Sequence, residues 1–494
     1  MRQSMGAVSQ PRPVTIPPPM MIDRSRTIRW IGWLIISYTV LLMIEGALRK
    51  WIAPKYSDPL LVIRDPVLLV IYWLAFRARL FPRNWWVNSL FGIGVLSFAF
   101  SILFLSQFLS WLPIAAITLY GFRANFLHLP LIFLIAKIFD EQDVQKIGWW
   151  ILLGMIPLSL LMVAQFHAPP DSFINITAGA SEGAEQLTAG GGKIRPPGTF
   201  SFISGPVYYC AMATAFLIYG VLSRATYKTW LLIASGVALV VAVAVSGSRG
   251  CVGSVLLVVL TMFVIFAIRP KAVNQVGRAI LIGIAVAVII ARVPVFGQGL
   301  HILSERFTTA AEEGNTNIVL GLLNRTVESF TESFKNLGQY PASGWGLGLG
   351  TNVGAHFLVG GTGFLLSENE WTRLLYEMGP VFGLAYIFWR TALTARLGYL
   401  SFVALRRGTT LPLLLFSSGF LALLNGQLGQ PTTLGFAVVI CGFCLASMQT
   451  RIEATFSENV TPQPMIAAPR PLSRTSSYAA RLHEREKNNG PTDR

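Results

Sequence analysis

Apolar blocks near 20 residues long recur along this chain with few charges inside them, separated by short segments rich in Arg, Lys, Gly and Pro. A helix of about that length crosses the hydrocarbon layer of a bilayer. The pattern predicts crossings at residues 28–48, 60–78, 86–105, 122–139, 147–166, 202–222, 230–245, 252–268, 279–295, 373–395, 411–428 and 432–448. The apolar stretch 110–121 is short and runs into the next block without a polar break, so it reads as a re-entrant or in-plane piece. The fold class expected is all-α: a polytopic transmembrane helical bundle of about 12 spans with a large extracytoplasmic loop domain.

The polar segments divide the chain. Residues 1–26 are Pro-rich and basic without apolar periodicity, and 450–494 are rich in Pro, Ser and Arg; both are expected to be disordered tails. Residues 27–295 carry the first helices and an outer loop at 167–201. Residues 296–372 form the longest polar interruption and are expected to be a large catalytic loop, before the last helices at 373–449. That loop holds Arg325, the run GWGLGLG at Gly344 to Gly350, His356 and the acidic SENEW at Ser367 to Trp371.

Composition agrees: 53% of the 494 residues are hydrophobic and only 13% are charged, which excludes a soluble protein. The formal charge of +16 does not imply nucleic acid, because Lys and Arg collect in the short loops and tails where membrane insertion places them. With the N-terminus inside, inner loops carry Arg77, Arg79, Arg83, Lys137, Lys146, Arg224, Lys228, Arg269, Arg278, Arg396, Arg406 and Arg407. Counting 110–121 as an extra crossing would put most of these clusters outside, so both termini are expected in the cytoplasm. The first block is too long for a signal-peptide core and stays as an anchor. Cys210, Cys251, Cys441 and Cys444 all lie in apolar segments, and no disulfide framework is expected.

A second set of charges falls at the opposite, outer rim: Glu45, Arg49, Lys50, Arg64, Asp65, Arg123, Lys193, Arg195, Arg249, Arg325, Glu368, Glu370, Arg373 and Glu377. Its basic members run against the positive-inside bias, and a charge in the middle of a span costs about 2.5 to 3.5 kcal/mol, so an anionic ligand is one explanation. Plainer ones stand beside it. Arg249 in SGSRG has the position of a snorkelling arginine, Arg64 and Asp65 that of a simple ion pair, and Arg195 that of an exposed loop residue beside the stiff Pro196–Pro197. The glycine run lacks the Lys-Ser/Thr of a nucleotide loop; its glycines suit close approach of backbone to a ligand or a helix end. No cluster has metal spacing, so neither metal nor cofactor is expected.

Several segments together resemble one family. SGSRG opening a span, the long outer loop, Arg325 upstream of a GxGxG, and Glu377-Met378-Gly379 are similar to the O-antigen ligase and polysaccharide polymerase superfamily of bacterial inner-membrane proteins. EGALRKW (Glu45 to Trp51), RDP (Arg64 to Pro66), YGFRANFLHLP (Tyr120 to Pro130) and RPPGTFSF (Arg195 to Phe202) resemble its exopolysaccharide or O-antigen polymerase-like branch. The resemblance implies a metal-independent glycosyltransferase in the inner membrane. Such an enzyme takes glycan from undecaprenyl diphosphate at the outer, periplasmic face and passes it to another lipid-linked repeat. The bilayer and a chain-length regulator or export complex are further implied partners. In family ligases, which transfer to lipid A core, a histidine precedes an asparagine of the outer loop; Glu368 stands there before Asn369, which favours the polymerase branch.

The chemistry needs cations for the departing diphosphate and a base for the attacking hydroxyl. Arginine forks bind phosphate oxygens bidentately, which assigns Arg123, Arg195, Arg249 and Arg325 to the diphosphate, with Arg49, Arg64, Asp65, Arg373 and Glu377 in support. Glu368 is the first candidate base, then His356, then Glu370; an ion pair of Glu368 with Arg373 is the structural alternative. A flippase for lipid-linked oligosaccharide would share the basic, polytopic character, although no internal repeat is visible.

Overall fold

The computed structural model describes residues 24–178, 188–190, 193–223, 226–269, 331–335, 337–360 and 366–449, with a few between 282 and 304. It is mostly helical, with almost no strand. In order come α1 (Arg24–Ala47), a π-helical turn (Leu48–Ile52), α2 (Ser57–Leu60), α3 (Arg64–Arg77), α4 (Trp85–Leu105) and α5 (Trp111–Phe122). A second π-helical turn (Arg123–Leu127) leads to α6 (Leu131–Ile138) and α7 (Glu141–His167), followed by a small antiparallel hairpin of β1 (Thr188–Gly190) and β2 (Lys193–Ile194). Next are α8 (Ser204–Leu222), α9 (Thr229–Val245) and α10 (Arg249–Ile268), then α11 (Asn352–Val359), α12 (Glu370–Arg407), α13 (Leu411–Asn425) and α14 (Pro431–Ala446).

Among the described residues seven stretches are long and apolar enough to cross a membrane: Ser25–Ile52, Pro54–Arg77, Trp85–Leu105, Trp111–Ile138, Glu141–His167, Ser204–Leu222 and Arg249–Ile268. Helices α9, α13 and α14 are apolar but shorter. Every span expected from the sequence falls on a described helix except 279–295, which lies largely outside the described residues. The centre is α14, buried on nearly all sides, packed against α13, α6 and α8. A helix apolar all round belongs inside other helices. By contrast α10 buries few of its residues and presents Leu256, Leu260, Phe263 and Val264 outward.

The piece 110–121 is helical in α5, and α5, the π turn and α6 lie in one 28-residue apolar stretch, Trp111–Ile138. Polar side chains bond back along the same stretch, Thr118 Oγ1 to Ile114 O (2.6 Å) and Asn125 Nδ2 to Gly121 O (3.0 Å), and a short turn at 128–130 precedes α6. The expected span 373–395 is broken. Gly379 has φ +72° and Pro380 follows it, so α12 comprises two limbs, 370–378 and 380–407.

The break reverses the chain. Arg390 Nη1 lies 2.8 Å from Glu370 Oε1 although the residues are 20 positions apart, about 30 Å along a straight helix. Gly383 likewise sits against Leu374 and Leu375 of the first limb.

The glycine run seals this break. Pro380 has no N–H for Tyr376 O, and Trp345 N–H donates to that carbonyl instead (2.7 Å), while Gly346 N–H donates to Glu377 O (3.1 Å). On its other side Gly348, at φ +92°, lies against Ile117 and Gly121 of α5, where each glycine leaves room for the other's backbone. Leu347 N–H is taken by Ser101 Oγ of α4 (2.8 Å). The run therefore approaches a broken helix end, and the described part of the expected loop domain packs into the bundle.

Gly348→Val is expected to destabilise the protein by about 1 to 3 kcal/mol, since it forces a β-branched residue into the left-handed region against the Ile117 carbonyl. Thermal unfolding in detergent measures it; an unchanged midpoint would contradict this packing role.

Candidate functional site

The charges that the sequence scatters over α1, α3, α5 and α12 meet at one end of the bundle, beside the α13–α14 connection. Arg64 and Asp65, adjacent at the start of α3, do not pair with each other. Arg64 pairs with Glu45 of α1 (3.3 Å) and donates to Pro431 O, and Gly435 of α14 leaves the space through which its guanidinium passes. Glu45 also pairs with Arg49 (3.6 Å), whose Nε donates to Ser57 O at 2.8 Å. Asp65 receives Arg123 Nε on Oδ2, and its Oδ1 lies 3.1 Å from His128 Nε2.

His128 is fully buried and joins the two pairs. Its Nδ1 is 2.8 Å from the Tyr38 hydroxyl, which in turn accepts from Arg64 Nη1 at 3.2 Å. One tautomer, with the ring proton on Nε2, satisfies all three contacts: Arg64 donates to Tyr38, Tyr38 to His128, and His128 to Asp65. Both described π-helical turns carry this network, since they place Arg49 and Lys50 in one and Arg123 and Asn125 in the other. Such turns are rare and recur at functional sites.

The second half is built by the first limb of α12. Asn369 caps it through Trp371 N–H (3.1 Å), and Glu370, Arg373 and Glu377 fall on one inward face at helical spacing. Arg373 pairs with Glu370 (2.9 Å) and Glu377 (2.7 Å); Arg390 reaches Glu370 across the break and donates to Leu423 O and Gly426 O. Glu370 Oε1 also accepts from Leu428 N–H (3.2 Å), and Glu377 Oε1 from Gly350 N–H (2.9 Å). Asn125, on the same π turn as Arg123, meets this half by accepting from Arg373 Nη2 (3.3 Å) on its side chain and from the Tyr386 hydroxyl (2.6 Å) on its carbonyl.

Six buried cations, Arg49, Lys50, Arg64, Arg123, Arg373 and Arg390, thus face four carboxylates, Glu45, Asp65, Glu370 and Glu377. The α12 half is balanced, two against two, and the excess of two positive charges lies in the α1–α3–α5 half. In a low-dielectric interior such an excess favours an anionic ligand.

The candidate residues divide by place. Arg49, Arg64, Asp65, Arg123, Arg373 and Glu377 belong to the network. Glu370 belongs to it as well, yet both its oxygens are held by guanidinium groups, so it serves better as a strut than as a base. Glu368 is exposed: its backbone carbonyl accepts from Gln427 Nε2, and Arg373 pairs with Glu370 and Glu377 rather than with it.

His356 lies on the exposed side of α11 with its ring edge against Phe357. Arg195 is half-buried after β2; Arg249, half-buried at the start of α10, has no hydrogen-bond or ion-pair partner among the described residues. Arg325 lies outside the described residues. Sequence reasoning missed His128, Asn125, Tyr38 and Arg390, although the arginine in the middle of the apolar run FWRTAL was itself a signal.

Arg390→Met is expected to destabilise the protein by about 3 to 5 kcal/mol, because it leaves Glu370 short of a charge partner and two carbonyls unpaired. Glu368→Gln, at an exposed position, is expected to stay within about 0.5 kcal/mol of the parent. Equal unfolding midpoints for the two variants would contradict the strut. No protein-family model, no curated protein and no solved structure matches the chain.

Proposed function

We propose that this protein is a glycosyltransferase of the bacterial inner membrane that polymerises undecaprenyl-diphosphate-linked repeats into exopolysaccharide or O-antigen at the outer face. The observation that carries the reading is the network itself: a buried, partly uncompensated array of cations at one end of an apolar helical bundle. In the accompanying topology the chain crosses about twelve times with both termini in the cytoplasm, and the charged end faces outward.

In this reading the cationic half receives the donor's diphosphate. The acceptor hydroxyl loses its proton to Glu368, and its oxygen attacks the anomeric carbon. The bond from that carbon to the diphosphate oxygen breaks, and its electron pair leaves on the diphosphate. Fixed guanidinium groups stabilise the charge as it grows there, and a group this stable needs no acid to depart. Glu368 is the candidate base that is exposed at the network's edge without being engaged by an arginine. Repeats already linked to the same lipid remain the favoured acceptor, with lipid A core as the ligase alternative.

One observation supports a second reading, a flippase for lipid-linked oligosaccharide. Helices broken beside a buried charged site are common in transporters, and α12 is such a helix. Glycan profiles of a deletion strain separate the two. Polymerase loss leaves single repeats at the outer face with no chains; flippase loss leaves repeats facing inward.

Arg249→Ala and Arg325→Ala are each expected to lower polymer formation about a hundredfold to a thousandfold at unchanged protein abundance. Glu368→Gln is expected to slow transfer comparably while donor still binds. Full-length polymer from both arginine variants would remove Arg249 and Arg325 from the diphosphate site, and parental turnover in Glu368→Gln would move the base role to His356.

A further inference from the structure

We infer that Lys50 anchors a phosphoryl-binding site at the seam between the π-helical turn Leu48–Ile52 and the turn 195–201. The inference rests on the reading of the protein as one that handles a lipid diphosphate, and it narrows the cationic half to one anchoring residue. Lys50 is 1% exposed. Its Nζ donates to Gly198 O at 2.7 Å and stands 4.5 Å from the centre of the Trp51 ring.

Every other cation of the network has a carboxylate. Arg49 and Arg64 share Glu45, Arg123 has Asp65, and Arg373 and Arg390 share Glu370, with Glu377 also on Arg373. No carboxylate pairs with Lys50 among the described residues. An ammonium has three donors, and one carbonyl with one aromatic face compensates only part of a buried charge. A phosphoryl group supplies both the missing charge and the missing acceptors.

The surroundings are fixed in advance. Gly198, at φ +61°, is held by Gln165, whose Oε1 accepts from its N–H at 2.8 Å. Thr199 Oγ1 donates to Met43 O at 2.6 Å, and Gly46 of α1 leaves no room for a side chain against the Thr199–Ser201 backbone. Arg49 Nη1 reaches Ser201 Oγ at 3.2 Å, so the guanidinium next to Lys50 in sequence is tied to the same turn. Lys193 adds a second ammonium close to α7's end, 5.6 Å from the Phe166 ring. The positive excess in this half suits an anion, whereas the balanced α12 half offers none.

The test titrates inorganic pyrophosphate into the full-length protein in phosphatidylcholine nanodiscs. Lys50→Met is expected to weaken binding about tenfold or more, the loss of one charge-assisted contact. Lys50→Arg is expected to restore it to within about threefold, and Lys146→Ala, in an exposed pair at the far end of α7, to leave it unchanged. Lys50→Gln, which keeps a donor without the charge, replaces Lys50→Met if the latter does not fold.

Parental affinity in Lys50→Met and Lys50→Gln overturns the site while leaving the proposed function standing. Failure of Lys50→Arg to restore binding overturns the role of charge and points to an uncharged amine. Loss of the Lys50-dependent binding when phosphatidylglycerol replaces part of the host lipid assigns the site to a bilayer headgroup and overturns it too. A parent protein that binds no pyrophosphate overturns both this inference and the function on which it rests.

Discussion

Charged side chains inside an apolar bundle must find partners or be expelled, and that constraint shapes one whole end of this protein. Glu45, Asp65, Glu370 and Glu377 each receive at least one guanidinium; Tyr38 and His128 link the first two pairs, and Asn125, on the same π turn as Arg123, holds Arg373 of the other group. Helices α1, α3, α5 and α12, far apart in sequence, are tied there by polar contacts, while the rest of the bundle is held by side-chain packing around α14. Such pairing is not a cheap source of stability, because desolvation offsets much of the attraction. What it provides is position: each arginine is held by two or more directed contacts, the condition for preorganised binding of charge.

The broken helix is the second device. A straight α12 would carry Arg390 about 30 Å from Glu370; the Gly379–Pro380 reversal brings them into contact. The break frees carbonyls that an apolar interior cannot leave unpaired, and the run from Gly344 to Gly350 supplies the amides. Glycine is needed in that run for a physical reason, since Gly348 at positive φ touches Gly121 with no room for a Cβ on either.

Much of this was legible in the sequence, because 3.6-residue periodicity is not needed to find apolar blocks of membrane length, and a charge inside such a block stands out. Arg64, Asp65, Arg123, Arg373 and Glu377 stand out that way, and Arg49 by lying just past the first block at the outer rim. The pairing was not legible. Arg64 and Asp65 invite each other as neighbours, yet at the start of α3 they point to different helices. Glu370 and Glu368 look alike in SENEW, and only the helix start at Asn369 turns one inward and the other to the surface. His128 reads as one more residue of FLHLP until Tyr38 and Asp65 bracket it. Asn175, in a sequence that fits a glycosylation acceptor, is buried with its amide on three carbonyls and is closed to modification.

The most direct test of the account is the position of a bound diphosphate. An electron cryomicroscopy map of the protein in nanodiscs with farnesyl diphosphate is expected to place the two phosphoryl groups about 3 Å from the side-chain nitrogens of Lys50 and Arg49. The Glu370–Arg373–Arg390 strut is expected to be unchanged in the same map. Diphosphate density at the strut, at the opposite end of the bundle, or nowhere in the protein would contradict the claim that this charged end exists to hold it.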